Sequence, residues 1–148
     1  MKIPVTNTKR ESSVDLIKSL DKRGIKLNIT AILTLNQVQD LFDNLNENSK
    51  SIISVFAGRI ADTGVDPIPI MKKAKSILSP KRNLELLWAS SRELLNIFQA
   101  QECGCDIITV TNDLLKKLKM VGTDLGDLSL ETVKMFYNDA KSAGYKIL

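Results

Sequence analysis

"SIISVFAGRIADTG", Ser51 to Gly64, reads as an apolar strand that stops in small residues and an arginine. A short apolar run bounded by a glycine is the pattern of a buried strand. The next segment, "VDPIPI" (Val65 to Ile70), carries prolines where a helix takes its first turn. Strand, turn and helix make one βα unit. Arg59 at its tip is then either a solvated loop charge or an anion hook aimed at a site.

The same hand-over recurs along the chain. Strands are expected near "MKIPV" (1–5), "IKLNITAI" (25–32), "SIISVF" (51–56), "LELLWAS" (84–90) and "DIITV" (106–110). A helix follows each. The first runs from about Ser12 to Arg23, with Ser12 or Ser13 as N-cap, Val14, Ile17 and Leu20 on one face and Gly24 as its stop. The second, Leu35 to Asn44, spaces Val38, Leu41, Phe42 and Leu45 helically. The third starts at Pro67 or Pro69 and runs through "MKKAKSIL"; the fourth covers Glu93 to Gln101, the fifth Asp113 to Lys117, and the last Leu130 to Ala143 with Val133, Phe136 and Ala140 on one face. Strand starts recur roughly every 20 to 35 residues, the size of a βα unit. The class is α/β with parallel strands, in one domain over residues 1–148 without a linker. An open doubly wound sheet, flavodoxin-like and covered on both faces, and part of a (β/α)₈ barrel both fit.

Composition narrows the partners. The chain has 148 residues, 43% apolar and 26% charged, enough for one globular core. No apolar run approaches the ~20 residues of a membrane span, and "MKIPVTNTKR" lacks a signal-peptide core, so a cytoplasmic protein is expected. The net charge is +4, but the basic residues are scattered and aromatics are 5%, so no nucleic-acid stripe emerges. The mild positive bias suits phosphorylated small molecules. Cys103 and Cys105, with no His in the chain, give no zinc spacing and are expected as free thiols.

In parallel α/β folds, function sits where strands run out into the loops that follow. Asn28 and Thr30 share one face of "KLNITAIL", against Leu27, Ile29 and Ala31 on the other. Ser54 and Phe56 share a face, with Arg59 just beyond, and "WASSR" puts Ser90 and Arg92 at and after a strand end. Asn28 and Thr30 are either satisfied strand polars or site groups. Arg59 and Arg92 are either surface charges or, with Ser90, a phosphate clamp. Lys2 within "MKIPV" is either a solvated terminus or a desolvated amine, whose lowered pKa frees it as a nucleophile.

Together, "KIPVT", "LNITAIL", "SVFAGRIADTG", "LLWASSRE" and "GCDIITV" resemble, in order and approximate spacing, the transaldolase family, class I aldolases that include the fructose-6-phosphate aldolases. The resemblance covers essentially the whole chain. It implies a TIM-type (β/α)₈ barrel of which this chain carries the fourth to eighth strands. By that likeness Lys2 is the Schiff-base lysine, Thr30 positions the catalytic water and Asn28 is an active-site asparagine. Ser54 and Phe56 line the substrate pocket, and Arg59, Ser90 and Arg92 hold the sugar phosphate, with Gly58 letting the chain turn to present Arg59. Phe56, where fructose-6-phosphate aldolases typically have Tyr, leans towards transfer of a dihydroxyacetone unit, as in the pentose phosphate interconversions. No cofactor and no metal are implied, since the lysine supplies the electron sink.

The family's acidic residue on the first strand and its water-activating Glu or Gln on the third have no counterpart here. Asp62, Asp66 and Asp106 are expected as loop or capping residues. Five strands of a barrel leave two sheet edges open. A truncated product, a fragment of a longer protein, or half of a split barrel is therefore expected, completed in the last case by an N-terminal barrel segment or a homo-oligomer. The rival expectation is a remnant that binds sugar phosphate without turnover.

Overall fold

The computed structural model describes residues 1–47 and 49–145. The chain divides into two compact units, Met1–Leu115 and Lys116–Leu148. The first unit alternates β1 (Lys2–Pro4), α1 (Val14–Lys22), β2 (Leu27–Ile32), α2 (Leu35–Asn44), β3 (Ser51–Val55), α3 (Ala57–Ala61), α4 (Pro67–Leu78), β4 (Leu84–Trp88), α5 (Leu95–Glu102) and β5 (Ile107–Ile108), and α6 (Asn112–Lys116) begins in it. The second unit holds a 3₁₀ turn, Lys117–Met120, and α7 (Leu125–Ser142).

All strand pairs are parallel, and the sheet order is β1-β2-β3-β4-β5. Strict sequential order distinguishes the two folds the sequence leaves open. A doubly wound sheet reverses its strand order at a switch point and buries both faces. Here one face carries the row Ile3, Ile29, Ile53 and Leu86, buried in one core with Ile17, Val38, Leu41, Met71, Leu78 and Ala100 of the helices. The next row round, Lys2, Asn28, Ile52 and Glu85, lies on the other face and lines an open cleft. The fold is α/β, five parallel strands with helices on one side, as in part of a TIM-type barrel.

Local chemistry accounts for the helix ends. Thr34 and Gln37 form a capping box on α2, and Asp66 accepts from the Ile68 N–H with Pro67 at the first turn of α4. α7 starts at Leu125, earlier than the spacing predicts, because the Asp124 carboxylate caps the Gly126 and Asp127 N–H groups. The alternation in β2 also fails at its end. Ala31 is left-handed (φ 62°) and the β2–β3 register shifts between Ile29 and Ile32, so Ala31 leaves the face of Leu27 and Ile29.

The rim that precedes the strands is tied by side chains. The buried Asp21 carboxylate accepts from Ser49 Oγ and from the Asn46 N–H at 2.7 Å. Asn83 Nδ2 donates to the Asn46 and Ser49 carbonyls, and Lys81 Nζ to those of Phe42 and Leu45. Asn83 Oδ1 and Ser51 Oγ find no partner among the described residues.

Candidate functional site

At the opposite rim, on the face that carries Lys2 and Asn28, lies a cavity of about 260 Å³. Lys2, Asn28, Thr30, Ser54, Phe56, Arg59 and Ser90 all line it. Every residue the sequence singles out is therefore in one place, except Arg92. The reason is topological. Adjacent parallel strands end at the same rim, and in-register neighbours such as Lys2 and Asn28 share a face.

The polar groups are not equally engaged. Ser54 Oγ donates to Asn28 Oδ1 at 2.6 Å, which fixes the amide. Thr30 Oγ1 is buried and has no hydrogen-bond partner among the described residues. An unmet buried hydroxyl costs about 1–3 kcal/mol, so such atoms call for an explanation. Arg59 stacks over the Phe56 ring, 5.6 Å to its centroid, and has no carboxylate partner among the described residues.

One alternative is decided and one expectation corrected. Of the two readings left open for Lys2, the exposed one holds, because β1 is an edge strand and its alternate residues face away from the helices. Gly58 is not a turn residue. It lies in the first turn of α3, and a Cβ there would stand 1.5 Å from the Ser90 carbonyl oxygen. Glycine is needed for clearance, and the contact sets Ser90 beside α3. Ser90 itself is left-handed (φ 65°), a conformation that costs a non-glycine residue free energy.

Arg92 is directed elsewhere: its guanidinium pairs with the Asp62 carboxylate. Asp66 caps α4, while Asp106 accepts from Lys75 Nζ and from the Leu86 N–H, a structural role. Among the described residues no carboxylate lines the cavity. Thr109, Leu87 and Ala89 also line it and went unread in the sequence. Thr109 lies inside the strand expected at 106–110 and becomes the first polar residue past it only because β5 stops at Ile108.

The thiols lie away from this site. Cys103 is buried and Cys105 half-buried, both free; burial above all, with Cys103 next, pushes the Cys105 thiol up to about 12. Among the described residues no cluster of His, Cys, Asp or Glu could hold a metal ion. Nor is any helix there long and apolar enough to cross a membrane.

Residues 1–147 match the family model described as transaldolase/fructose-6-phosphate aldolase. A probable transaldolase of Thermoanaerobacter sp. is 30% identical over 148 residues, covering 99% of this chain and 62% of that protein. A probable transaldolase of Methanococcus maripaludis is 29% identical over 80% of this chain and 52% of its own length. Probable transaldolase 2 of Listeria monocytogenes is 31% identical over 80% of this chain and 51% of its own length. The chain thus spans between half and two thirds of these relatives. With its parallel sheet, its strand-end cavity and a match along nearly its full length, the chain belongs to the transaldolase/fructose-6-phosphate aldolase family.

Proposed function

We propose that the cavity is the donor-sugar site of a Schiff-base transferase, with Lys2 as its nucleophile. One observation carries the reading: a single cavity gathers an amine, a buried hydroxyl and a guanidinium, the hydroxyl with no hydrogen-bond partner and the guanidinium with no carboxylate partner among the described residues. These are the groups needed to bond a carbonyl, hold water and grip a phosphate.

In its neutral form the Lys2 amine adds to a ketose carbonyl, and loss of water gives an iminium. The departing fragment's hydroxyl then loses its proton and the neighbouring carbon–carbon bond breaks. Its electron pair passes into the iminium, leaving an enamine of dihydroxyacetone and releasing an aldose phosphate. The enamine attacks a second aldehyde, and water frees the new ketose from Lys2. Thr30 and Asn28 hold water and substrate hydroxyls, while Ser54 fixes Asn28. Arg59 and Ser90 hold the phosphate, with Arg92 in reserve, and binding energy gained there positions the reacting end. Phe56 has no hydroxyl with which to activate water, which favours transfer over hydrolysis. Sugar phosphates are the partners, and the cytoplasm, which retains such charged solutes, is the compartment.

Proton transfer, typically worth about 10²–10⁴-fold, needs a group that the cavity lining lacks. We assign it to further βα units, supplied as an N-terminal barrel segment or by a second copy, so that residues 1–148 are part of one barrel domain. A parallel sheet whose order begins at β1 and ends at β5 has the edges that such units would cover. The exposed Lys2 and the missing carboxylate favour a second reading, sugar-phosphate binding without turnover.

Incubation with fructose 6-phosphate, borohydride reduction and peptide mapping separates the two. The transfer reading expects an adduct confined to Lys2 and lost in Lys2→Met. A folded chain that binds fructose 6-phosphate but gains no mass supports the binding reading.

A further inference from the structure

Arg92 is held at both ends, by its backbone and by its guanidinium. Its N–H donates to Oδ1 of the buried Asn96 at 2.8 Å, which fixes the backbone. The side chain runs across Gly58, with Cγ 3.3 Å from where a Cβ on that glycine would sit. The guanidinium then meets Asp62, the residue that closes α3, with Nη2 2.5 Å from Oδ2 and the side chains 52% and 48% exposed. Around Arg92 lies a second cavity of about 270 Å³, with Ser91 and Thr111 on its wall. It shares Ser90 and Thr109 with the cavity that holds Lys2 and Arg59. Ser90 therefore stands between a guanidinium that faces the candidate site and one that is engaged elsewhere.

We propose that Asp62 is an intramolecular competitor for phosphate: it holds the Arg92 guanidinium on α3, and an oxyanion bound beside Ser90 draws the guanidinium off it. The inference rests on the phosphate reading above and adds to it a residue that sets affinity and selectivity. A carboxylate and a phosphate offer the same planar fork its two-point partner, so they are alternatives at one guanidinium. An exposed ion pair is weak, so the exchange is permitted. A dianionic phosphate outbids Asp62, whereas a monoanionic carboxylate brings no greater charge than Asp62 already supplies. Asp62 therefore discriminates between anions as well as tuning affinity.

The test is calorimetric binding of fructose 6-phosphate, inorganic phosphate and fructose to the 148-residue chain. Wild type, Asp62→Asn, Arg92→Ala and the double variant form the cycle. Both side chains are half exposed, so the substitutions leave the core untouched. Asp62→Asn should tighten both phosphates about two- to fivefold and leave fructose unchanged. In the Arg92→Ala background the same substitution should change nothing. Weaker or unchanged binding in Asp62→Asn overturns the proposal, since Asp62 would then preorganise Arg92 or be idle. A gain that persists without Arg92 also overturns it, because removal of a nearby negative charge would suffice. These outcomes leave the phosphate reading standing. A wild-type chain that does not distinguish fructose 6-phosphate from fructose sinks that reading, and the role of Asp62 with it.

Discussion

At the rim where helices hand the chain back to strands, left-handed backbone falls on Gly24 (φ 72°) and Gly104 (φ 71°). At the opposite rim it falls on Arg10 (φ 64°), Ala31 (φ 62°) and Ser90 (φ 65°), with Gly64 between α3 and α4. Charge divides the same way. Asp21 and Lys81 are tied to neighbouring loops, while Lys2 and Arg59 line a cavity without a carboxylate partner among the described residues. One rim takes the unstrained solution and spends its polar groups on holding loops together. The other keeps strained residues and unsatisfied groups, as expected where strands deliver chemistry. The division is not absolute, because among the described residues Ser51 and Asn83 also leave oxygens without a partner at the first rim.

Substitutions at glycine and alanine can break this contrast. Gly58→Ala has the largest expected effect, about 3 kcal/mol of destabilisation, because its Cβ would collide with backbone rather than a movable side chain. In thermal unfolding the midpoint should fall by roughly 10 °C. A fall of only a degree or two would mean that the Ser90 loop yields freely, and that its position is not fixed by α3. Gly24→Ala should cost about 1 kcal/mol through φ alone, since nothing lies within 4 Å of the added carbon. Ala31→Gly should stay within about 0.5 kcal/mol of wild type, relief of strain offsetting the entropy of glycine. Denaturant titration reads both. An Ala31→Gly loss as large as the Gly24→Ala loss would show that the Ala31 methyl is held by packing, and would remove one strained residue from the contrast.

The sequence carries the strands and most helices plainly, because apolar runs and helical spacing are local. The α2 bounds and the Gly24 stop both match the spacing. α3 was not legible: "AGRIA" is a single turn, too short to show a period. Nor could alternation reveal the bulge at Ala31, since a φ angle leaves no mark on residue type. Strand order decided the fold, and order is a long-range property. At the candidate site, strand-end residues were legible because parallel strands end together, which brought Lys2, Thr30 and Ser90 into one cavity. The pairing of Arg92 with Asp62 was not, because it joins two loops 30 residues apart. The exposure of Lys2 was read only in part. An apolar neighbourhood in sequence does not bury a residue on an edge strand.

Trp88 gives the molecule a built-in optical label. It is the single tryptophan, wholly buried at the end of β4, next to Leu87 of the cavity wall. Its emission should lie towards the blue and resist an aqueous quencher until the core of Met1–Leu115 opens. Both tyrosines, Tyr137 and Tyr145, belong to the unit Lys116–Leu148. Light at the red edge, which tyrosine does not absorb, therefore follows the first unit alone, and tyrosine absorbance follows the second. Melting curves recorded in the two channels would show whether the units unfold together or one after the other, with no dye attached.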